Sequence, residues 1–464
     1  MITSTETPRK SEEVTALLTD SFDWSVPATA EPLHRDNLLN RFDAIALANA
    51  QVHGSLPDDF HKAFEASSKF VMTSFDYFEN KTESDRFDWT FNVPARGEDS
   101  QGEEYASEVT FFLPLLDPKF GVNAMIRQRS VAHLAPAVIE TYKGTQEGMR
   151  GALVWTPAYV SSRLMNDKSQ RGDHIKAAHY RIDEAAGFVR HKLGAKVMGL
   201  GAVMPGMTSF GRTIQQEGLV TTTGHGGTVH LVAETVKRVA QEYPRTPRIG
   251  ILGLGSIGDS AFRVLSENND SLPVRSFILY DKRHQLVTKA LAANRGATPL
   301  IAPMMRPYGG DYESEASLLN TSDIIVTAIT SRLDLDKMEQ KLGRPIDLTG
   351  KTIIDDSQPG CFDRVQVEAR GGCLVWVVGE DTSDQHYFKR INNYAYGEGG
   401  GLSTDRSVWG CEAEAGSIAM TGLYDQAVKT SVNADIARKV GKVCHDIGIR
   451  VSNPLQSFGQ PVDI

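Results

Sequence analysis

The stretch that decides the fold runs from Arg248 to Gly258 and reads RIGILGLGSIG. Its apolar start predicts a buried strand, its glycines follow a GxGxxG pattern, and Asp259 to Leu265 after it predict a helix. A strand, a glycine-rich turn and a helix in this order form the dinucleotide-binding unit of a Rossmann fold. In such a unit Gly253 permits the tight turn, Gly255 admits a pyrophosphate to the backbone, and Gly258 allows close helix packing.

The residues after these glycines would complete a site for a nicotinamide dinucleotide. The backbone amides of Ser256 and Ile257 would open the helix and face the pyrophosphate. Asp281 ends the apolar run FILYD, where a carboxylate would bond the ribose hydroxyls of NAD. Lys282 and Arg283 follow it and would instead bind the 2′-phosphate of NADP. The residues therefore leave NADH and NADPH both open, and Asp281 favours NADH.

Six apolar runs alternate with helical stretches from Arg248 onward, which predicts a parallel sheet with helices on both faces. The predicted strands are Arg248–Leu252, Val274–Tyr280, Thr298–Ala302, Asp323–Ala328, Thr352–Asp355 and Cys373–Val378. We expect Thr327 and Ala328 at the carboxyl edge of this sheet, beside a bound cofactor. The predicted fold class is α/β: a Rossmann-type doubly wound parallel sheet, a substrate-binding α/β domain and an additional N-terminal region.

Composition shifts along the chain divide it into five predicted regions. They are a polar, flexible arm at 1–25, an N-terminal region of unassigned role at 26–150, the first part of a substrate domain at 151–240, a Rossmann domain at 241–390, and a largely helical part at 391–464 that returns to the substrate domain. Within the substrate domain, Gly151–Val160 predicts a strand and Asp173–Leu193 predicts a helix. The C-terminal part carries the candidate nucleophile.

The composition excludes several classes of protein. The 464 residues are 41% hydrophobic and 23% charged, which argues against global disorder, collagen and coiled coil. A net charge of −9 without a block of Lys and Arg argues against nucleic acid as a partner. The start of the chain has no apolar signal segment, and no apolar run reaches the length of a membrane helix. We expect a cytoplasmic protein that forms a homo-oligomer.

The four cysteines are too scattered for a disulfide scaffold or a metal-binding CxxC, so we expect free thiols and no metal site. Cys411 is the candidate nucleophile because it opens a helical stretch, and a helix N-terminus favours the thiolate. A buried cysteine is also often an inert small hydrophobe, and that alternative stays open. Cys361, after the strand end IIDDSQPG, is a rival thiol, whereas Cys373 and Cys444 fit a strand and a helix core.

Three sequence blocks around the GxGxxG turn resemble the motifs of one family. They are Gly199–Ala202 with Met207–Ser209, Thr222–His225 with Thr228, and Cys411–Ala415, which are similar to that family's LGGFTS, TTGNxxTA and CxAEA stretches. In their order and spacing they resemble the long-chain acyl-ACP reductases, which form fatty aldehydes. The resemblance covers roughly residues 150 to 435. The family has Asn where this chain has His225, and it usually prefers NADPH.

The resemblance implies an NAD(P)H-dependent reductase that converts an acyl-ACP or acyl-CoA thioester to an aldehyde. Cys411 would carry the acyl group during turnover. The glycine-rich blocks would supply donors to the negative charge that develops on the carbonyl oxygen. The positioning groups in them would be Thr208, Ser209, Thr223 and His225, and His225 would also have the intrinsic pKa range of an acid.

Two other functions fit the same residues. A direct dehydrogenase, resembling shikimate or methylene-tetrahydrofolate dehydrogenases, also places a substrate domain before a Rossmann domain and needs no cysteine. A non-catalytic NAD-binding scaffold would keep the fold and bind a partner through residues 25 to 150. The first predicts activity that survives alkylation, and the second predicts cofactor binding without turnover.

Overall fold

The computed structural model describes residues 62–63, 65–66, 86–98, 136–144, 149–161, 168–169, 171–267, 272–293, 300–303, 312–329, 332–357, 360–391 and 402–464. The predicted arm at 1–25 and much of the region predicted at 26–150 lie outside these residues.

Strands and helices alternate along most of the described chain. The strands are β1 (Trp89–Glu98), β2 (Ala137–Lys143), β3 (Arg150–Ser161), β4 (Val197–Leu200), β5 (Val220–Thr222), β6 (Arg248–Leu252), β7 (Ser276–Tyr280), β8 (Leu300–Pro303), β9 (Ile324–Thr327), β10 (Thr352–Asp355), β11 (Cys373–Trp376), β12 (Gly379–Asp381), β13 (Ser407–Val408), β14 (Ile449–Val451), β15 (Leu455–Ser457) and β16 (Gln460–Val462). The helices are α1 (Arg171–His191), α2 (Met204–Met207), α3 (His225–Glu242), α4 (Ser256–Glu267), α5 (His284–Ala293), α6 (Glu313–Thr321), α7 (Leu335–Leu342), α8 (Arg364–Glu368), α9 (Gly410–Thr421) and α10 (Ala434–Asp446).

The larger sheet contains the Rossmann unit. Its strand order is β16-β15-β11-β10-β9-β6-β7-β8, and the pairs from β8 to β11 are all parallel. Counted from β6 as the first strand, β8 to β11 follow the order 3-2-1-4-5-6 of a doubly wound dinucleotide-binding fold. The predicted fold class and the six predicted strands are confirmed.

The smaller sheet has five strands in the order β2-β3-β1-β4-β5. β1 pairs in parallel with both β3 and β4, whereas β2 is an antiparallel edge. This sheet crosses the domain boundary that the sequence predicts at residue 150, because β1 lies at its centre. The sequence WTFNVPARGE of β1 lacks a continuous apolar run, so its place in the core depends on partners distant in the chain.

Among its described residues (391 and 402–464), the C-terminal part forms the α-helices α9 and α10 and a 3-10 helix at Tyr424–Gln426, and it also contributes strands that the sequence does not predict. β15 and β16 form a hairpin that extends the Rossmann sheet beyond β11. β12, β13 and β14 form a small antiparallel sheet. The C-terminal part therefore contacts both domains rather than returning to one.

Glycines bring α9 close to both α3 and the five-stranded sheet. A Cβ added at Gly227 of α3 would lie 2.1 Å from the carbonyl oxygen of Gly410, and one added at Gly199 of β4 would lie 2.8 Å from the Cβ of Ala415. No side chain fits at such separations, so these glycines let the backbones touch. Helix α9 is thereby fixed between the five-stranded sheet and α3.

A buried ionic network fixes the start of α9. The guanidinium of Arg390 lies 2.7 Å from the carboxylate of Glu412, and both side chains are fully buried. Arg390 also donates to the hydroxyl of Tyr142 (2.6 Å) and to the carbonyl of Ser407 (3.3 Å), and that hydroxyl donates to Glu412. Edge strand β2 is thus tied to the first turn of α9.

We expect Arg390→Met to lower the free energy of unfolding by about 3–5 kcal/mol, because it leaves the Glu412 carboxylate buried without its partner. Arg438→Met is the matched control, since Arg438 pairs with Glu267 and Asp435 at the surface and its loss should cost about 1 kcal/mol or less. Urea denaturation measures both. Equal stability losses in the two variants would contradict this role of the network.

Candidate active site

The three glycines of the glycine-rich turn differ in the space around them. Gly253 has φ +94°, and an added Cβ would lie 2.6 Å from the carbonyl oxygen of Ala328. A Cβ at Gly258 would lie 1.9 Å from the carbonyl oxygen of Gly253, whereas one at Gly255 meets nothing within 4 Å. The described chain therefore requires Gly253 and Gly258 for its own packing. The open space at Gly255 fits the approach of a pyrophosphate.

The first turn of α4 provides the other part of a phosphate cradle. Its main-chain bonding begins with the N–H of Asp259, which donates to the carbonyl of Gly255 (3.0 Å). The amides before it, at Ser256 and Ile257, have no partner within the helix and carry its positive end. The Ser256 hydroxyl accepts from the N–H of Val432 (3.2 Å). The amides of this turn thus fit the predicted pyrophosphate site, while the Ser256 side chain anchors a neighbouring segment.

Asp281 holds the glycine-rich turn in place. Its carboxylate accepts from the N–H of Leu254 (2.8 Å) and from the N–H of Arg283 (2.7 Å), and its side chain is only 9% exposed. Lys282 and Arg283 are exposed beside it. The predicted ribose ligand is thus engaged with the protein's own backbone. With two cations exposed next to it, the geometry leaves NADH and NADPH both open.

Thr327 and Ala328 lie at the carboxyl edge of the Rossmann sheet, but they support the edge rather than offer side chains to a cofactor. The Thr327 hydroxyl is buried and donates to the carboxylate of Asp355 (2.7 Å). The carbonyl of Ala328 packs against Gly253. Their role in the described structure is to hold the turn and the end of β10.

Two helix N-termini converge on the Cys411 thiol. Cys411 is the second residue of α9, and Gly224 caps α3 with φ +75°. A Cβ at Gly224 would lie 2.2 Å from the Cβ of Cys411, so the backbone of the second block lies directly on the cysteine. The residue is partly exposed. A cysteine held between two helix ends is placed as a nucleophile requires.

The electrostatic surroundings of Cys411 oppose the predicted activation by the helix end. Burial raises the pKa of its thiol far above the ordinary value, and the carboxyl groups of Asp356, Glu412 and Glu414 raise it further when they are ionised. The hydrogen bond from the backbone of Glu412 lowers the pKa by less. The thiol is therefore protonated at neutral pH, and its proton must move when the sulfur attacks.

Glu414 connects the second and third sequence blocks. Its fully buried carboxylate accepts from the amides of Gly224 and Gly227, at 2.9 Å each, and from the hydroxyl of Thr222. It thus caps α3 from another helix. Ala415 packs against Gly199 of the first block. The three blocks, which are far apart in the chain, meet around the first turns of α9.

His225 follows Gly224 and begins α3. Burial lowers the pKa of its imidazole to about 4, its ring meets the Phe210 ring edge to face at 6.1 Å, and its buried Nδ1 has no partner among the described residues. The imidazole is therefore neutral at pH 7. It therefore does not carry the extra proton that the acid role suggested by the sequence requires.

The predicted hydroxyl groups shape the loops of the site. The Thr208 hydroxyl donates to the carbonyl of Met204 (2.9 Å) and accepts from the N–H of Gly211 (3.0 Å). The Thr223 hydroxyl accepts from the N–H of His225 (3.4 Å). Ser209 is exposed in the left-handed conformation, with φ +49°. The hydroxyls of Thr208 and Thr223 thus form hydrogen bonds with the backbone of the first and second blocks.

Asp356, which lies directly after β10, is a site residue that the sequence does not single out. Its backbone N–H donates to the carbonyl of Thr327 (3.4 Å), and its carboxyl raises the pKa of the Cys411 thiol when it is ionised. The available signal is the second Asp of the strand end IIDDSQPG. The rival thiol in the same segment, Cys361, is buried 2.6 Å from the Ser357 hydroxyl, and burial raises its pKa well above the usual range.

Two negative findings apply to the described part of the chain. It contains no group of three or more His, Cys, Asp or Glu side chains arranged to hold a metal ion. None of its helices has the length and apolar character that crossing a membrane demands.

No protein-family model matches the chain, and no curated protein matches it. It is similar to the solved structure of a malic enzyme of Entamoeba histolytica, with 10% identity, 90% of each chain covered and a TM-score of 0.34. It is also similar to shikimate 5-dehydrogenase of Listeria monocytogenes, with 10% identity, 78% of this chain and 98% of the other covered, and a TM-score of 0.31. A dipicolinate synthase component of Bacillus halodurans matches 42% of the chain at 14% identity and a TM-score of 0.26, and the chain spans 60% of its length. At these scores the similarities carry no argument, so the fold and the site rest on the geometry above.

We expect Gly255→Ala to fold as the parent does and to bind a nicotinamide dinucleotide at least tenfold more weakly, because its Cβ enters the open space of the turn. Gly258→Ala is the comparison: its Cβ clashes with the Gly253 carbonyl, so its melting temperature should fall. Thermal melts and fluorescence titration with NADH and NADPH measure both. Unchanged affinity in Gly255→Ala would exclude the turn as the cofactor site.

We expect the neutral His225 to make the fold sensitive to acid. Its pKa is about 4 in the folded chain against an ordinary 6.5, so its stabilising contribution is complete above pH 6.5 and is lost as the pH falls toward 4. His225→Asn should therefore lose less stability than the parent between pH 7.5 and 5, by at most about 2 kcal/mol. Urea denaturation at both pH values measures it, with exposed His191→Gln as control. Equal losses in parent and His225→Asn would contradict the assignment.

Proposed function

We propose that this chain is an NAD(P)H-dependent oxidoreductase that reduces an acyl thioester to an aldehyde through a covalent thioester on Cys411. One observation carries the proposal: Cys411, a partly exposed residue, lies where the N-termini of α3 and α9 meet. Helix α3 packs on β9 and β10 of the Rossmann sheet. The thiol thus belongs to the cleft where open α/β sheets bind ligands.

The residues that would hold the dinucleotide are the Gly253–Gly258 turn and the first amides of α4. When bound there, a nicotinamide supplies the hydride that reduces the acyl group. The turn is positioned by Asp281 through Leu254. The Ser256 and Ser260 hydroxyls both bond to the backbone of Val432, which links α4 to the segment that follows α9.

The first half-reaction needs a proton acceptor because the Cys411 thiol is protonated. His225 is the acceptor that fits: it is neutral, its Nδ1 is unpaired among the described residues, and it adjoins Gly224, which touches Cys411. As the sulfur bonds to the carbonyl carbon, its proton passes to His225. The bond to the carrier sulfur then breaks, and that sulfur leaves with the proton.

The substrate class rests on the resemblance to the long-chain acyl-ACP reductases. The structure brings together the three blocks that carry this resemblance, around α9. A fatty acyl group on acyl carrier protein or coenzyme A is therefore the substrate that we propose. The proposed hydride source is a reduced nicotinamide dinucleotide, NADPH or NADH.

A second candidate function is direct hydride transfer to a small carbonyl substrate in the same cleft. One observation favours it: burial, together with the neighbouring carboxyl groups, keeps the Cys411 thiol in its unreactive, protonated form. Such an enzyme would form no covalent intermediate.

We expect Cys411→Ala to abolish aldehyde formation from acyl-ACP and acyl-CoA, with at least a 1,000-fold loss (about 4 kcal/mol), because the nucleophile is gone. Binding of NADPH or NADH should stay unchanged. Cys373→Ala is the matched control, since Cys373 is also partly exposed. It is the first residue of β11 and so lies at the amino end of the strands rather than at their carboxyl end. Gas chromatography of the aldehyde and fluorescence titration of the cofactor measure both. Intact turnover by Cys411→Ala would sink the covalent mechanism and favour the direct dehydrogenase.

A further inference from the structure

We propose that Asp356 is the acid that protonates the substrate oxygen when the acyl group on Cys411 is reduced. This inference rests on the proposed function and deepens it by naming the proton donor. The two neighbouring aspartates at the end of β10, Asp355 and Asp356, differ in the direction of their side chains and in their hydrogen bonds.

Strand alternation separates the two carboxyl groups. Ile354 packs in the core that β9, β10 and β11 share with α3, together with Val326 and Val375. Asp355 points to the other face, where it bonds to Thr327. The parallel pairing continues to the N–H of Asp356, which donates to the carbonyl of Thr327. Alternation therefore places the Asp356 side chain on the α3 face, at the carboxyl edge.

Their hydrogen bonds differ as sharply. The Asp355 carboxylate accepts from the Thr327 hydroxyl (2.7 Å) and from the amides of Ser357 (2.9 Å) and Cys361 (2.6 Å). Within the described residues the Asp356 carboxyl has no hydrogen-bond partner, and it remains partly exposed. Asp355 thus builds the turn, and Asp356 is left available to a bound substrate.

Cys411 lies opposite Asp356 in this cleft. Helix α3 packs on β9 and β10, and its N-terminal Gly224 touches Cys411. The Asp356 carboxyl is near enough to the Cys411 thiol to raise the pKa of that thiol when the carboxyl is ionised. An acyl group carried by Cys411 would therefore come near the Asp356 carboxyl at the carboxyl edge of the sheet.

The protonation state of Asp356 suits a donor. Burial raises the pKa of its carboxyl well above the ordinary value, and the neighbouring Asp355 raises it further. The other titratable groups around the Cys411 thiol are Glu412 and Glu414 of α9, which act on its pKa, and His225 of α3, which follows the Gly224 that touches Cys411. None of these groups is a cation at neutral pH, so nothing among them stabilises a charged Asp356.

The step balances in atoms and electrons. As hydride adds to the carbonyl carbon of the acyl group, the π electrons move to oxygen, and that oxygen takes the proton of Asp356. The product is a thiohemiacetal on Cys411. When it collapses, the Asp356 carboxylate takes the hydroxyl proton back, the carbon–sulfur bond breaks and the aldehyde leaves. The Cys411 sulfur keeps the electron pair and takes a proton from solvent.

The test separates the two half-reactions in single-turnover experiments on the full chain. We expect Asp356→Asn to accumulate the acyl adduct on Cys411 from acyl-CoA as the parent does, by intact mass. On addition of NADPH, aldehyde release from that adduct should be at least 100-fold slower than in the parent. Asp336→Asn, a change at a largely exposed carboxylate of the same domain, is the matched control and should discharge normally.

Further readouts distinguish an acid from a structural residue. In the parent the rate of adduct discharge should fall at alkaline pH as the acid ionises, and Asp356→Asn should lack this fall. Asp356→Glu should restore part of the rate. Discharge at the parental rate in Asp356→Asn, or slow discharge with an unchanged pH profile, overturns the proposal for Asp356. Absence of any adduct in the parent would instead overturn the proposed function itself.

Discussion

The site depends on one buried carboxylate, that of Glu414. Although Glu414 belongs to α9, its carboxylate accepts hydrogen bonds from the amides at the start of α3 and from the hydroxyl of Thr222. The amides of a helix N-terminus need acceptors when they are buried, and here they find one on a neighbouring helix. This bond fixes where α3 begins and sets Gly224 against Cys411. The N-termini of α3 and α9 are therefore positioned as a unit.

Three groups of the site, Cys411, Asp356 and His225, are shifted toward their uncharged forms by burial. Burial raises the pKa of Cys411 and of Asp356 and lowers the pKa of His225. A thiol, a carboxylic acid and a neutral imidazole then face one cleft. In such surroundings none of these three groups starts as an ion that must lose its water before the reaction. Protons can therefore be transferred as the bonds form. The Arg390–Glu412 pair, by contrast, is fully buried and acts on the position of α9.

The sequence predicts the Rossmann half closely because its signals are local. Short apolar runs mark β6 to β11, and each glycine of the turn has its expected type of surroundings. It does not predict β1, since WTFNVPARGE carries Asn92 and Pro94, and its partners lie about 60 and 110 residues further along the chain. Pairing over such separations leaves no periodic signal in the strand itself.

The chemistry of the site is less predictable for the same reason. The pKa of Cys411 is raised chiefly by burial, and further by Asp356, about 55 residues earlier in the chain, and by carboxyl groups of its own helix. Asp281 has the position of a ribose ligand, yet the fold uses it to hold Leu254. Asp356 looks like a surface turn residue until the register of β10 gives its direction. Residue type indicates what a group can do, and packing decides which of its states is present.

The covalent mechanism requires that Cys411 becomes acylated and that reduced cofactor releases the acyl group as an aldehyde. Peptide mapping of the parent chain tests this after incubation with fatty acyl-ACP or acyl-CoA, before and after NADPH or NADH is added. We expect an acyl group on the Cys411 peptide alone, not on those of Cys361, Cys373 or Cys444, and its disappearance as aldehyde on reduction. An unmodified Cys411 in a chain that still oxidises the reduced cofactor with a carbonyl substrate would contradict the covalent mechanism.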